Sequence, residues 1–134
     1  MNNINIYALT KLRVILNDNI YNTNNINELL ELLKANTKCD IKSIDYINHS
    51  IIIHKDNYLE NSLLTRQVCT CICKFLNSHK LDIEIAISEI KREDEKQEVS
   101  KVLNTILLGN YVHMIMNIMN ISSPSTGSEL IIKL

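Results

Sequence analysis

The sequence predicts a mainly α, single-domain helical bundle around a central buried helix pair, and three observations carry that expectation. Residues 102–121, VLNTILLGNYVHMIMNIMNI, are apolar on nearly every side, the mark of a helix buried in protein or in lipid. Asn104, Asn110, His113, Asn117 and Asn120 punctuate this stretch, and amides are costly in hydrocarbon, so the reading is a protein core. Residues 59–78 supply the second long helix: Leu59, Leu63, Leu64, Val68, Ile72, Phe75 and Leu76 share one face, with Glu60, Arg66, Gln67 and Lys74 off it. Finally, two Gly and one Pro in 134 residues leave few positions for tight turns that need positive φ.

Composition sets further bounds. A chain of 134 residues is long enough for one core that buries roughly two-thirds of the unfolded surface. The formal net charge of −1 gives no global attraction to nucleic acid or to acidic membranes. With no Trp and one Phe, the basic stripe interleaved with aromatics that binds single strands is missing. Ile and Asn together account for 40 of the 134 residues. Their codons are AT-rich, so Ile here is weaker evidence for strands than usual.

Taken in order, Ile6, Leu9, Leu12, Ile15 and Leu16 recur at helical spacing and predict a first helix. The polar run 18–25 reads as a loop. Asn25 is placed to cap a second helix over 26–35, with Glu28 three residues on in a capping-box-like arrangement. The segment 40–55 admits a hairpin, with Ile41, Ile44, Tyr46 and Ile47 in one strand, Ile51 to Ile53 in the other, and a turn at Asn48-His49. In LDIEIAISEI, Ile83, Ile85 and Ile87 alternate with Asp82, Glu84 and Ala86 as in a strand, though Ile83, Ile87 and Ile90 fit one helix face equally well. The alternative fold is therefore α+β, with a small three-stranded sheet from 40–47, 50–55 and 81–87. Lys91 to Glu98 is a solvated, sign-balanced charged turn or first helical turn. The division expected is one globular domain over 1–121, then a breaker-rich linker and tail over 122–134 that could end as an edge strand.

Chemistry is sparse. Cys69, Cys71 and Cys73 in VCTCICKFL have single-residue gaps, unlike the spacing of zinc knuckles, and on a helix residues two apart point about 200° from each other. They read as structural thiols of a reducing compartment, as does Cys39. Cys71 or Cys73 with His79 would be a nucleophile–base pair, but no oxyanion donor or orienting group accompanies it. No phosphate loop, zinc-protease helix or serine elbow occurs. No catalytic residue, cofactor or metal site is therefore expected, and the chain reads as non-enzymatic. The amino terminus lacks the basic-then-apolar order of a signal peptide, and no uninterrupted apolar span of about 18 residues occurs, so a cytoplasmic protein with no membrane span is expected.

What is left is recognition of a protein. A bundle with two long apolar helices can leave a groove for one amphipathic helix of a partner, and Leu29, Leu33, Leu63 and Ile72 are the candidate groove residues. A homodimer is the other arrangement open to such a chain.

A short leucine-rich helix, a helix bearing LLTRQVCTCICKFLNSHK and a last helix bearing LNTILLGNYVHMIMNIMN follow one another in this order. That order, over about Leu59 to Asn120, resembles the small Bcl-family-like proteins of poxviruses. No Asn-Trp-Gly-Arg type motif is present. The resemblance implies a cytosolic helical bundle that inhibits host apoptosis or innate immune signalling by binding an amphipathic helix of a host signalling protein. The α+β alternative implies instead a small dimeric regulator, a chaperone or an immunity protein.

Overall fold

The computed structural model describes residues 5–37, 40–47, 50–54, 61–108 and 129–133. Among them are five helices, α1 (Ile6–Asn19), α2 (Thr23–Asn36), α3 (Asn61–Ser78), α4 (Lys80–Ser88) and α5 (Glu93–Leu107). Three strands, β1 (Asp40–Asp45), β2 (Ser50–His54) and β3 (Glu129–Lys133), complete them. The chain is mostly helical, with a small antiparallel sheet that a bundle of helices alone would lack.

Asparagine sets several of the helix ends. Asn5 and Asn22 cap α1 and α2, their side chains accepting from the backbone N–H groups of Ala8 (3.2 Å) and Asn25 (2.9 Å). Each satisfies a donor the first helical turn cannot. Asn19, Asn36 and Asn77 close three helices by donating to the carbonyls of Ile15, Leu32 and Cys73 four residues back. The second helix thus starts at Thr23, not at Ile26 behind an Asn25 cap. Hydrophobic spacing locates the first buried residue, Ile26. The cap at Asn22 instead admits a polar, solvent-facing first turn ahead of it, and Asn25 Nδ2 turns back to the Ile20 carbonyl (2.7 Å).

α3 is the inner helix. It packs against α2, α4 and α5, and Leu64, Val68, Cys69, Cys71, Ile72, Phe75 and Leu76 are all buried. α1 lies across α4 and α5, contributing Ala8, Leu12, Ile15 and Leu16 to the same core. α5 begins earlier than the apolar stretch suggests, and its acidic first turn, Glu93 to Glu95, suits the positive end of a helix dipole. Val102, Leu103 and Ile106 are buried as a core helix requires. The rest of the predicted central helix, with His113 and its asparagines, lies outside the described residues, as does the expected linker.

Of the structures open to residues 40–55, the hairpin forms, with β1 ending at Asp45 and Tyr46 and Ile47 in the turn; the expected turn residues Asn48 and His49 lie outside the described residues. β1 and β2 pair antiparallel, Asp40 opposite His54 and Asp45 opposite Ser50, with an irregularity between Ile41 and Ser43. Asp45 Oδ1 accepts from the Ile47 N–H (3.0 Å) as the chain turns, and the Tyr46 hydroxyl donates to Asn27 Oδ1 (2.8 Å), tying the hairpin to α2. The third strand corrects the sequence reading. Residues 81–87 are helical, within α4, and β3 pairs with β2 in the order β1-β2-β3. Ile51 lies opposite Ile132, and Ile51, Ile53 and Ile132 are buried on the core face.

The physical reason is a degeneracy of pattern. On a helix, residues two apart point to nearly opposite sides, so an alternating run splits into two i,i+4 pairs. Ile83 and Ile87 are buried, whereas Leu81 and Ile85 are exposed on the other side. On periodicity alone this segment fits both structures.

Ile132→Asp should lower stability by about 3 kcal/mol, because it places an unpaired charge in the core opposite Ile51. Half-buried Ile131→Asp should cost no more than about 1 kcal/mol. Urea unfolding followed by circular dichroism checks both, and equal effects would mean that β3 is not held in this register. Leu103→Asp or Ile106→Asp should unfold the domain in the same assay.

Candidate functional site

The three thiols show how fully α3 is enclosed. Cys69 and Cys71 are buried and Cys73 is half-buried. Cys71 Sγ reaches the Leu32 carbonyl of α2 at 3.6 Å, while Cys73 Sγ reaches the Ile106 carbonyl of α5 at 3.5 Å. Neighbours in the motif thus face different helices, so the group cannot converge on one ion. Burial pushes the Cys69 thiol from its ordinary value of 9.0 up to about 11, with the nearby Cys73 adding to the effect, and burial raises Cys73 as well. A thiol held neutral is a poor nucleophile.

His79, a candidate base for such a thiol, is engaged elsewhere. Its Nε2 meets Glu28 Oε2 across the gap between the α3–α4 corner and α2. The Ser78 hydroxyl is occupied by the Phe75 carbonyl (2.7 Å) and by Glu28 Oε1 (3.4 Å). Serine, histidine and glutamate are all present, but hydroxyl and imidazole converge on one carboxylate. A relay for nucleophilic attack needs the hydroxyl on the imidazole. The arrangement is a clamp. Behind it the rings of Tyr21 and Phe75 stack with centroids 6.4 Å apart, and His79 sits edge-on to Phe75 at 4.8 Å. Glu28 and His79 are 51 positions apart, and no local pattern links them.

Of the candidate groove residues, Leu29, Leu33 and Ile72 are wholly out of solvent. Leu29 and Leu33 are on α2 and Ile72 is on α3, two helices that pack together. These three fill a core seam in this conformation and do not line an open groove. The side chain of Leu63 lies outside what is described.

The exposed apolar residues lie elsewhere. On α1, Ile6 (75% exposed), Tyr7 (68%) and Val14 (50%) occupy the side opposite Leu12 and Ile15 by helical geometry. On α4, Leu81 (69%) and Ile85 (53%) stand opposite buried Ile83 and Ile87. Each of these two helices, which pack together, has one apolar face in the core and a second in solvent. Sequence periodicity missed the outer faces because it assigns apolar residues to a single buried side.

Among the described residues, no helix is long and apolar enough to cross a membrane. No group of three or more His, Cys, Asp or Glu among them could hold a metal ion. No protein-family pattern, characterised protein or solved structure matches this chain.

The raised thiol gives stability a defined pH dependence. Native Cys69 resists ionisation up to about 11, whereas the unfolded thiol ionises near 9.0. Its contribution is complete below the unfolded value and is lost as pH climbs through the native one. The Tyr21 phenol, also raised by burial, acts in the same direction. The urea midpoint should fall between pH 8 and roughly pH 10.5, and less steeply in Cys69→Val. A midpoint that stays level would show that these groups are hydrated in the native state.

Proposed function

We propose that this chain is a non-enzymatic protein-interaction module that docks a helical segment of a partner protein on the outward apolar faces of α1 and α4. The observation carrying this reading is that Leu81 and Ile85 are exposed at i,i+4 spacing directly behind a core pair, Ile83 and Ile87. Single exposed apolar residues need no explanation, but a stripe at helical spacing is what an amphipathic partner recognises. The surface replaces the groove expected at Leu29, Leu33 and Ile72, which are core. Following the resemblance to poxviral bundle proteins, the partner class is a host protein of apoptotic or innate immune signalling, met in the cytoplasm. The small sheet favours a second reading, a small α+β dimeric regulator, chaperone or immunity protein.

The variant Tyr7→Gln, Val14→Gln, Leu81→Gln, Ile85→Gln should keep its fold, each exposed change altering stability by no more than about 0.5 kcal/mol. Quantitative comparison of proteins retained from cells should show partners held by the wild type and lost by the variant. Equal retention by a folded variant would overturn the proposal. Sedimentation of the purified protein separates the two readings, since a dimer dispersed by the same substitutions supports the second.

A further inference from the structure

The outer face of α4 differs from that of α1 in its charge. Around Leu81 and Ile85, Asp82 and Glu89 fall along one flank by helical geometry and Glu84 along the other. All three carboxylates are exposed. Over residues 80–89 the only Lys or Arg is Lys80, and its ammonium stands 3.7 Å from Glu84. Asp82 and Glu89 are therefore excess negative charge beside an apolar stripe. The α1 stripe, by contrast, has Lys11, Arg13 and Asp18 around it, and Lys11 is drawn 3.8 Å from Glu95. Past the end of α4 come Lys91 and Arg92, and Arg92 is paired with Asp94 at 2.8 Å, so two carboxylates of the face stand against one lysine.

We infer that the α4 face accepts a basic amphipathic helix, one with apolar residues at i and i+4 to cover Leu81 and Ile85 and with Lys or Arg flanking them to meet Asp82 and Glu89. The inference rests on the reading of the chain as an interaction module and specifies the chemistry of its partner. Apolar contact supplies affinity, and the acidic rim selects orientation and sign. An acidic helix of the same apolar pattern is disfavoured, because it sets like charges together.

Two fluorescent helical peptides test this, identical at their apolar positions and bearing either Lys or Glu on the flanks. Binding to the full chain is read by anisotropy. The Lys peptide should bind the wild type roughly tenfold more tightly than the Glu peptide. The double variant Asp82→Lys, Glu89→Lys should reverse that order, and Leu81→Gln, Ile85→Gln should lose both peptides while its melting temperature holds. Lys-peptide binding that survives in Leu81→Gln, Ile85→Gln would show bulk charge attraction and overturn the inference. Binding lost in that variant but unchanged by the charge reversal would also overturn it, yet would leave the docking face standing. Binding of neither peptide, with a dimer that Leu81→Gln disperses, would assign the face to a second copy of the chain and overturn it too.

Discussion

Everything in this fold is arranged around the enclosure of α3. Its buried arc runs from Cys71, against α2, through Leu64, Val68 and Phe75, to Cys73 beside α5. A helix covered over so much of its circumference must meet partners on several sides. α2, α4 and α5 supply them, and α1 and the sheet close the core from outside. Small thiols suit the crowded positions, since Cys behaves as a small hydrophobe where a longer side chain would push neighbouring helices apart. Dense packing of this kind leaves little tolerance for added volume or charge.

Polar groups do their structural work at the junctions. The Glu28–His79–Ser78 clamp joins α2 to the corner where α3 passes into α4, one position before α4 begins at Lys80. Asparagines satisfy helix ends at Asn5, Asn22, Asn19, Asn36 and Asn77. A composition rich in Asn therefore has a use here, because its short amide can accept at a helix start and donate at a helix end. With so little Gly, terminal carbonyls are met by side chains in place of a left-handed cap.

Legibility follows the range of the information. The helices at 6–19 and 61–78 can be read locally, since their apolar spacing has one solution, whereas the short apolar runs of the hairpin fit a strand or a buried helix until β1 and β2 pair. α4 cannot, because LDIEIAISEI satisfies strand and helix at once. β3 cannot either. ELIIK is a short apolar segment, and only Ile51 and Ile53 on β2, already facing the core, give Leu130 and Ile132 a register. The candidate site shows the same divide. Leu29, Leu33 and Ile72 are enclosed by the packing of α2 on α3, while Leu81 and Ile85 face solvent because α4 is a helix.

The sequence alone determined the mainly helical character, the two long apolar segments and the mismatch of the thiols with zinc spacing. Each of these depends on residues within one or two helical turns of each other, where backbone geometry dictates which side chains share a face. The tertiary structure decided which strand completes the sheet, which helix lies innermost, that His79 answers to Glu28, and that α1 and α4 each carry a second apolar face into solvent. Those outcomes turn on pairs of elements distant along the chain, and a helix's apolar residues become core or surface only when a neighbouring element covers them.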